Sequence, residues 1–253
     1  MGSSFAAGPG VGAPADVPAT RCARSAYNYA HQLARRHGLR LVDVSCSGAT
    51  TRHVLGAWDE LPPQLDAVDA DTKLVTITIG GNDLGYIGGL MAASCLGQAV
   101  DASAQASCRP LSPPPSDATY AETESRMDRI AAEVRRRAPA AQLVFVDYMT
   151  LLPAGRLCAL TPLPEQQASQ SRALAARLSA LTARVAQRNG ARLLRASALT
   201  VGHDACAVTP WVNGMPAGST QNGAGAQTAA VVPYHPNLAG MTAVADALDK
   251  LLW

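Results

Sequence analysis

The stretch Leu74-Val75-Thr76-Ile77-Thr78-Ile79-Gly80-Gly81-Asn82-Asp83 decides the fold of this chain. Its first part consists only of apolar and β-branched residues, which is typical of a buried strand. Two glycines and an asparagine–aspartate pair end this strand, and they predict a tight turn. In parallel sheets, sites form at the carboxyl ends of the strands, so polar residues in such a turn are candidates for function.

Outward from this strand, segments of strand type alternate with segments of helix type. Further strands are predicted at Leu39–Ser45, Leu143–Asp147 and Arg192–Arg195. Helices are predicted where apolar residues recur near the helical period, at Ala23–His37, Tyr120–Arg137, Glu165–Arg188 and Leu238–Leu252. This alternation predicts a three-layer α/β fold with a parallel central sheet. Since neither a repeat nor a linker is visible, residues 1–253 are expected to form a single domain.

Other segments have no such period. Cys46–Thr51 is a turn of small residues, and Leu61–Pro63 begins a short helix or loop. The polar, proline-rich segment Cys95–Pro115 is expected to be a loop. Val201–Val232 is rich in Gly, Ala, Thr and Asn, and an unpatterned segment of this length in a compact domain is usually either functional or mobile.

Composition excludes several classes of function. A formal net charge of +2 is too small to indicate a nucleic acid or an anionic membrane as partner. We find no apolar run long enough to cross a bilayer. Sequence motifs for metal or phosphate binding are also missing, so neither a metal nor an organic cofactor is expected.

The chain has six cysteines: Cys22, Cys46, Cys95, Cys108, Cys158 and Cys206. None forms a C-x-x-C pair, which argues against zinc and redox sites. Three disulfides are expected, and of about 15 possible pairings we favour chain order, because each bridge then closes a local loop. The alternative is a reduced protein with buried thiols. Disulfides predict an exported protein, since the cytosol keeps thiols reduced.

The start of the sequence does not fit this expectation of export. The chain begins at Met1, directly on a glycine–serine turn, where a leading strand and a signal peptide would be expected upstream. We therefore expect the first strand of the sheet to be truncated, with Met1 an internal methionine or an artificial boundary.

Two residues at opposite ends of the chain could form a nucleophile–base pair. Ser4 lies in Gly2-Ser3-Ser4-Phe5-Ala6-Ala7-Gly8, and His235 is followed by Pro236-Asn237. A serine hydroxyl is a poor nucleophile until a base takes its proton, and histidine is the usual base. Taken alone, each segment fits a structural role better, because Ser3, Ser4 and Asn237 are also good helix caps. Of the other four histidines, His203 is notable because Asp204 follows it.

Gly48 and Asn82 are candidate donors to an oxyanion. Backbone N–H groups and an asparagine amide can hold the negative oxygen that develops during acyl transfer. The neighbouring Asp83 is expected to hold its turn by accepting backbone N–H groups. By itself, Gly80–Asp83 fits an ordinary turn after a strand better than an oxyanion site.

Together these segments resemble the SGNH (GDSL) hydrolase family, whose four blocks supply Ser, Gly, Asn and His in that order. The matching residues are Ser4, Gly48 in Ser47-Gly48-Ala49-Thr50, Asn82 in Gly81-Asn82-Asp83, and His235. The resemblance spans nearly the whole chain and implies a flavodoxin-like α/β/α fold. It also implies hydrolysis of small-molecule or lipid esters without a cofactor, with the Ser4 and Gly48 N–H groups and the Asn82 side chain as oxyanion hole. Three chain-order disulfides further resemble the secreted actinobacterial lipases and esterases of that family. The sequence does not indicate an oligomeric state, and for this chain we assume a monomer.

Two positions depart from the family pattern. Ser3 replaces the aspartate of the first block, and Val232 stands where an aspartate commonly precedes the histidine by three residues. Because no carboxylate lies nearby in sequence, we predict a Ser–His dyad in which the Val232 carbonyl accepts the His235 Nδ1–H. The alternatives are a non-catalytic protein of this fold that binds a glycan or lipid, and a fragment that does not fold.

Overall fold

The structure, a computed structural model, describes residues 1–217 and 231–253. Three parallel strands form a sheet in the order β1-β2-β3, with β1 at Leu74–Ile77, β2 at Gln142–Val146 and β3 at Arg192–Leu194. Thr76 lies opposite Val144, and Val144 lies opposite Arg192. The carboxyl ends of all three strands therefore share one edge of the sheet, as the sequence predicts.

Helices are interleaved with these strands. In chain order they are α1 (Ser4–Ala7), α2 (Tyr29–His37), α3 (Thr51–Leu55), α4 (Tyr86–Gln98), α5 (Ala102–Ser107), α6 (Asp117–Arg137), α7 (Glu165–Arg188), α8 (Ala196–Leu199) and α9 (Leu238–Leu252). A 3₁₀ turn covers Gln64–Ala67. Helix α7 contacts β2 and β3, and α9 contacts β3 and α2.

Strand β2 shows that helices cover both faces of the sheet. Its consecutive residues Val144 and Phe145 are both fully buried. Because neighbouring side chains of a strand point to opposite faces, burial of both requires a layer on each side. The α/β/α prediction is confirmed.

The chain enters the sheet as a very short segment. Gly2 pairs in parallel with Thr78, and the Ser3 N–H donates to the Thr78 carbonyl at 2.9 Å. On the other side the Cys46 N–H donates to the Gly2 carbonyl at 3.0 Å. Residues 1–3 therefore contact the sheet next to Thr78 through this bridge and these backbone bonds.

The predicted strand Leu39–Ser45 is wrong. In the described part of the chain these residues have no ladder partner, and a cavity of about 320 Å³ separates them from Leu74–Thr76. The Met1 ammonium donates to the Thr76 carbonyl at the end of this cavity. Burial lowers the pKa of this ammonium, although the charge of Asp43 opposes the effect.

Two other predicted boundaries are corrected. The helix predicted at Ala23–His37 begins at Tyr29, because the Asn28 side chain caps it by accepting the His31 N–H. The loop predicted at Cys95–Pro115 is partly helical. Helix α4 continues through Cys95 to Gln98, and the Asp101 side chain caps α5 by accepting the Ala104 N–H.

Three disulfides join Cys22 to Cys46, Cys95 to Cys108 and Cys158 to Cys206. The predicted chain-order pairing is confirmed. The described helices are all too short or too polar to cross a membrane. Of the unpatterned segment Val201–Val232, residues 218–230 lie outside the described residues, and Val212 forms an antiparallel bridge with Pro236.

Candidate active site

Ser4 lies where the entering segment leaves the sheet. It is the first residue of α1 and is only 6% exposed. The Ser3 N–H bond to Thr78 fixes the backbone just before it. The first N–H groups of a helix have no partner inside the helix, so the Ser4 N–H is available to another acceptor.

His235 contacts Ser4 across almost the full length of the chain. The His235 Nε2 atom lies 2.8 Å from the Ser4 Oγ atom. On the other side of the ring, Nδ1 lies 2.8 Å from the Pro233 carbonyl oxygen. A carbonyl can only accept, so Nδ1 carries the proton and the Nε2 lone pair faces the Ser4 hydroxyl. This is the tautomer that a general base requires.

The predicted acceptor, the Val232 carbonyl, is wrong. That carbonyl accepts the His235 backbone N–H at 3.3 Å and the Asn213 side-chain amide at 3.2 Å. Tyr234, which lies between Val232 and His235 in the sequence, has a left-handed backbone with φ of 57°. The imidazole consequently lies against the carbonyl of Pro233, one residue later than predicted.

Burial sets the protonation state of His235. The side chain is almost fully enclosed, and desolvation lowers its pKa to about 4 in spite of the hydrogen bond to Pro233, which raises it. The imidazole is therefore neutral at neutral pH and can accept a proton. Among the described residues, no carboxylate forms a hydrogen bond or ion pair with His235.

The His203–Asp204 pair belongs to the loop framework. The His203 ring stacks on Trp211 with centroids 3.7 Å apart. The Asp204 carboxylate accepts the Cys206 N–H at 2.9 Å, next to the Cys158–Cys206 disulfide. Neither residue hydrogen-bonds to His235.

A network of contacts holds the histidine loop, residues 231–237. Asn213 donates its backbone N–H to the His235 carbonyl and accepts the Tyr234 N–H, at 2.9 and 3.0 Å. The Tyr234 hydroxyl bonds to Ser94 of α4. Asn237 caps α9 by accepting the Gly240 N–H at 3.0 Å, as its sequence position suggests.

Gly48 lies in a tight turn that a backbone hydrogen bond closes. The Ala49 N–H donates to the Cys46 carbonyl at 3.0 Å, which closes the turn around Ser47 and Gly48. Gly48 has a φ of 86°, a left-handed conformation that glycine adopts without strain. Within residues 1–217 and 231–253, its N–H has no acceptor.

Asn82 and Asp83 tie the strand-end turn to this glycine turn. The Asn82 Nδ2 atom donates to the Ala49 carbonyl at 2.9 Å. An amide nitrogen has two protons, so one remains for a ligand. The Asp83 carboxylate accepts the Thr51 N–H at 3.0 Å, and thus holds the neighbouring turn at the start of α3.

Sequence reasoning missed Tyr148, which lies just beyond β2. Its hydroxyl accepts the Gly81 N–H at 3.0 Å and lies 2.9 Å from Ser3 Oγ. Its ring packs on Phe5, with centroids 4.7 Å apart. The available signal was its position at the end of a predicted strand, at the same sheet edge as Ser4 and Asn82.

A hydroxyl paired with a neutral imidazole at the edge of a parallel sheet is the nucleophile–base arrangement of a serine hydrolase of the α/β type. The profile of the GDSL-like lipase/acylhydrolase family matches residues 1–243. The chain belongs to this family of ester hydrolases.

Relatives with names and structures agree with that membership. Lipase 2 of Streptomyces coelicolor is 33% identical over 254 residues, covering 97% of this chain and 82% of that protein. The extracellular lipase of Streptomyces rimosus superimposes with a TM-score of 0.72 at 27% identity, covering 98% of this chain and 96% of that one. A phospholipase A1 of Streptomyces albidoflavus has the same fold, with a TM-score of 0.72 at 24% identity and the same coverage.

Proposed function

We propose that this protein hydrolyses carboxylic esters through an acyl-enzyme on Ser4, with His235 as base in a Ser–His dyad. The observation that carries the proposal is the 2.8 Å contact between His235 Nε2 and Ser4 Oγ. The hydrogen bond from His235 Nδ1 to the Pro233 carbonyl supports it. Pro233 holds the ring and its tautomer, the role that sequence reasoning gave to Val232.

In the first step His235 takes the Ser4 proton while Ser4 Oγ attacks the ester carbonyl carbon. The carbonyl oxygen becomes an oxyanion, which the Ser4 and Gly48 N–H groups and the free Asn82 Nδ2 proton stabilise. The tetrahedral intermediate collapses to the acyl-enzyme, and the protonated His235 gives its proton to the leaving alcohol.

In the second step water attacks the acyl-enzyme as His235 takes one of its protons. Collapse of this intermediate releases the carboxylic acid and returns the proton to Ser4. A carbonyl stabilises the transient imidazolium less than an ionised carboxylate does, so the dyad depends more on orientation of the ring.

Ser4→Ala is the direct test of this function. Hydrolysis of p-nitrophenyl butyrate is expected to fall to the background rate, and a fluorophosphonate should add covalently to wild type but not to the variant. Ser107→Ala, which changes an exposed serine of α5, is the matched control and should keep full activity. If folded Ser4→Ala kept normal turnover, the proposal would be wrong.

Substrate class and setting belong to the same proposal. The natural substrate is a small-molecule or lipid ester, and a panel of esters of increasing acyl length would define it. Three disulfides and a relative described as extracellular support export of this protein. We take the protein as a monomer with residues 1–253 in one domain. The alternative, a non-catalytic glycan- or lipid-binding protein, predicts that folded wild type hydrolyses none of these esters.

A further inference from the structure

Tyr148 is a buried residue that connects two parts of the proposed site which the chain itself does not connect. Ser3 directly precedes the nucleophile, and Gly81 directly precedes the oxyanion donor Asn82. The Tyr148 hydroxyl lies within hydrogen-bond distance of both, 2.9 Å from Ser3 Oγ and 3.0 Å from the Gly81 nitrogen. One phenol oxygen therefore links the two turns.

The donors and acceptors at this oxygen fit together. The Gly81 N–H donates to the Tyr148 oxygen, which leaves the hydroxyl proton for Ser3, although either hydroxyl can donate in that contact. Ser3 and Tyr148 are at most 5% exposed, so water does not replace these bonds. Burial also raises the pKa of Tyr148, which keeps its hydroxyl protonated.

Close packing also links Gly81 to Tyr148. A Cβ built on Gly81 would lie 2.6 Å from the Cζ atom of the Tyr148 ring, closer than real Cβ contacts occur. The Gly81 backbone thus rests directly on the ring. The ring also packs against Phe5, the residue after Ser4, and lies T-shaped to the ring of Tyr86.

We propose that Tyr148, together with Ser3, is a positioning residue that sets the distance between the Ser4 nucleophile and the oxyanion donor Asn82. The inference rests on the proposed function, since positioning matters only if an oxyanion forms between these two residues. It assigns a role to Ser3, which replaces the aspartate of the family pattern. Small displacements of groups that must converge on one oxygen cost large factors in rate.

Tyr148→Phe removes the hydroxyl and keeps the ring. We expect kcat for p-nitrophenyl butyrate to fall about 10- to 100-fold with little change in KM, because an interaction used in the transition state is weakened. The acidic limb of the pH profile should not move, because His235 is untouched. Ser3→Ala, which removes one of the two bonds, should lower kcat about 2- to 10-fold.

Tyr29→Phe is the matched control. It removes another buried hydroxyl, which bonds to Thr78 Oγ1 at 3.1 Å, and has no contact with Gly81. We expect a similar drop in melting temperature with kcat close to wild type. The double variant Ser3→Ala/Tyr148→Phe should be no slower than Tyr148→Phe alone, because both changes remove the same link.

The outcomes separate this inference from the proposed function. If wild type hydrolyses the ester and Ser4→Ala does not, but folded Tyr148→Phe keeps the kcat of Tyr29→Phe, the positioning role alone is refuted. If Tyr148→Phe does not fold, Ser3→Ala decides, and an unchanged kcat refutes the role. A wild type without esterase activity would refute the proposed function first.

Discussion

The two halves of the site are built differently. The nucleophile side, comprising Ser4, Gly48 and Asn82, consists of turns at the edge of the sheet that are bonded to one another. The histidine loop, residues 231–237, has no ladder with the three strands and is held by separate anchors, among them Asn213 and the Tyr234–Ser94 bond. Backbone bonds at the sheet edge therefore hold the proposed nucleophile and oxyanion donors, whereas individual contacts hold the proposed base.

This difference has an energetic consequence. Backbone bonds such as Ser3 N–H to Thr78 and Cys46 N–H to Gly2 hold the entering segment beside the residues that follow β1, and a side-chain substitution does not remove a backbone donor or acceptor. The side-chain anchors of the histidine loop, such as the Tyr234–Ser94 bond and the Asn213 amide, can be removed one at a time. The position of the base should consequently be more sensitive to single substitutions than the position of the nucleophile.

The largest expected effect is loss of the base. His235→Gln should lower kcat about 10⁴-fold in p-nitrophenyl butyrate hydrolysis, since Ser4 then has no group to take its proton. Combining it with Ser4→Ala should cost little more, because the two residues act as a unit. His203→Gln is the control, since His203 stacks on Trp211 outside the site, and it should remain active. Substantial turnover by His235→Gln would show that another group serves as base.

The second-largest loss of kcat is expected when an oxyanion donor is removed. Asn82→Ala should lower kcat about 10²- to 10³-fold with KM nearly unchanged, because the amide acts on charge that develops only in the transition state. The variant also loses the bond to the Ala49 carbonyl, so a thermal melt must accompany the kinetics. A folded variant with kcat within about threefold of wild type would remove Asn82 from the oxyanion hole.

Part of the nucleophile side could be predicted from sequence because Asn82 follows an apolar strand. The apolar run that Ile79 ends is followed by Gly80–Asp83, and in a parallel sheet the carboxyl ends of the strands lie at one edge. Helices α7 and α9 match their predicted bounds because long amphipathic periods and clear end signals define them. The chain-order disulfides followed from the preference for local loops.

The errors lie where tertiary contacts override local pattern. Leu39–Ser45 has the composition of a strand but no ladder partner among the described residues. Every residue of the histidine loop has a carbonyl, so sequence could not show that the left-handed Tyr234 turns the imidazole toward Pro233 rather than Val232. Tyr148 was missed because its function lies in bonds to Ser3 and Gly81, distant in sequence.

Removing one anchor of the histidine loop tests whether this loop is more sensitive to substitution than other parts of the molecule. Asn213→Ala removes the side-chain bond to the Val232 carbonyl and should lower the free energy of unfolding by about 1 kcal/mol. Because the loop also carries the base, kcat should fall about tenfold. The control is Ser116→Ala, which removes the cap of α6 at a similar cost of about 1 kcal/mol.

Ser116→Ala should leave kcat unchanged, since α6 carries no residue of the proposed site. Equal kcat for the two variants, at equal loss of stability, would mean that the histidine loop is no more sensitive than the rest of the molecule.

The smallest effect at neutral pH concerns protonation of the base. With the pKa of His235 lowered to about 4 by burial, the acidic limb of kcat/KM should lie near pH 4 rather than near the ordinary value of about 6.5. Activity at pH 5.5 should therefore be close to its plateau. A limb near pH 6.5 would mean that the imidazole is solvated in solution, and Asn213→Ala should shift the limb in that direction.

The same pKa makes a prediction for stability. The folded imidazole stays neutral down to about pH 4, whereas the unfolded one takes up a proton below about pH 6.5. Between these values the unfolded state binds more protons, so the free energy of unfolding falls as the pH is lowered through this window. His235→Gln lacks this contribution, and its melting temperature should depend less on pH between about 6.5 and 4. Parallel pH dependences for wild type and variant would show that the base is not desolvated, which would remove the reason for its neutrality.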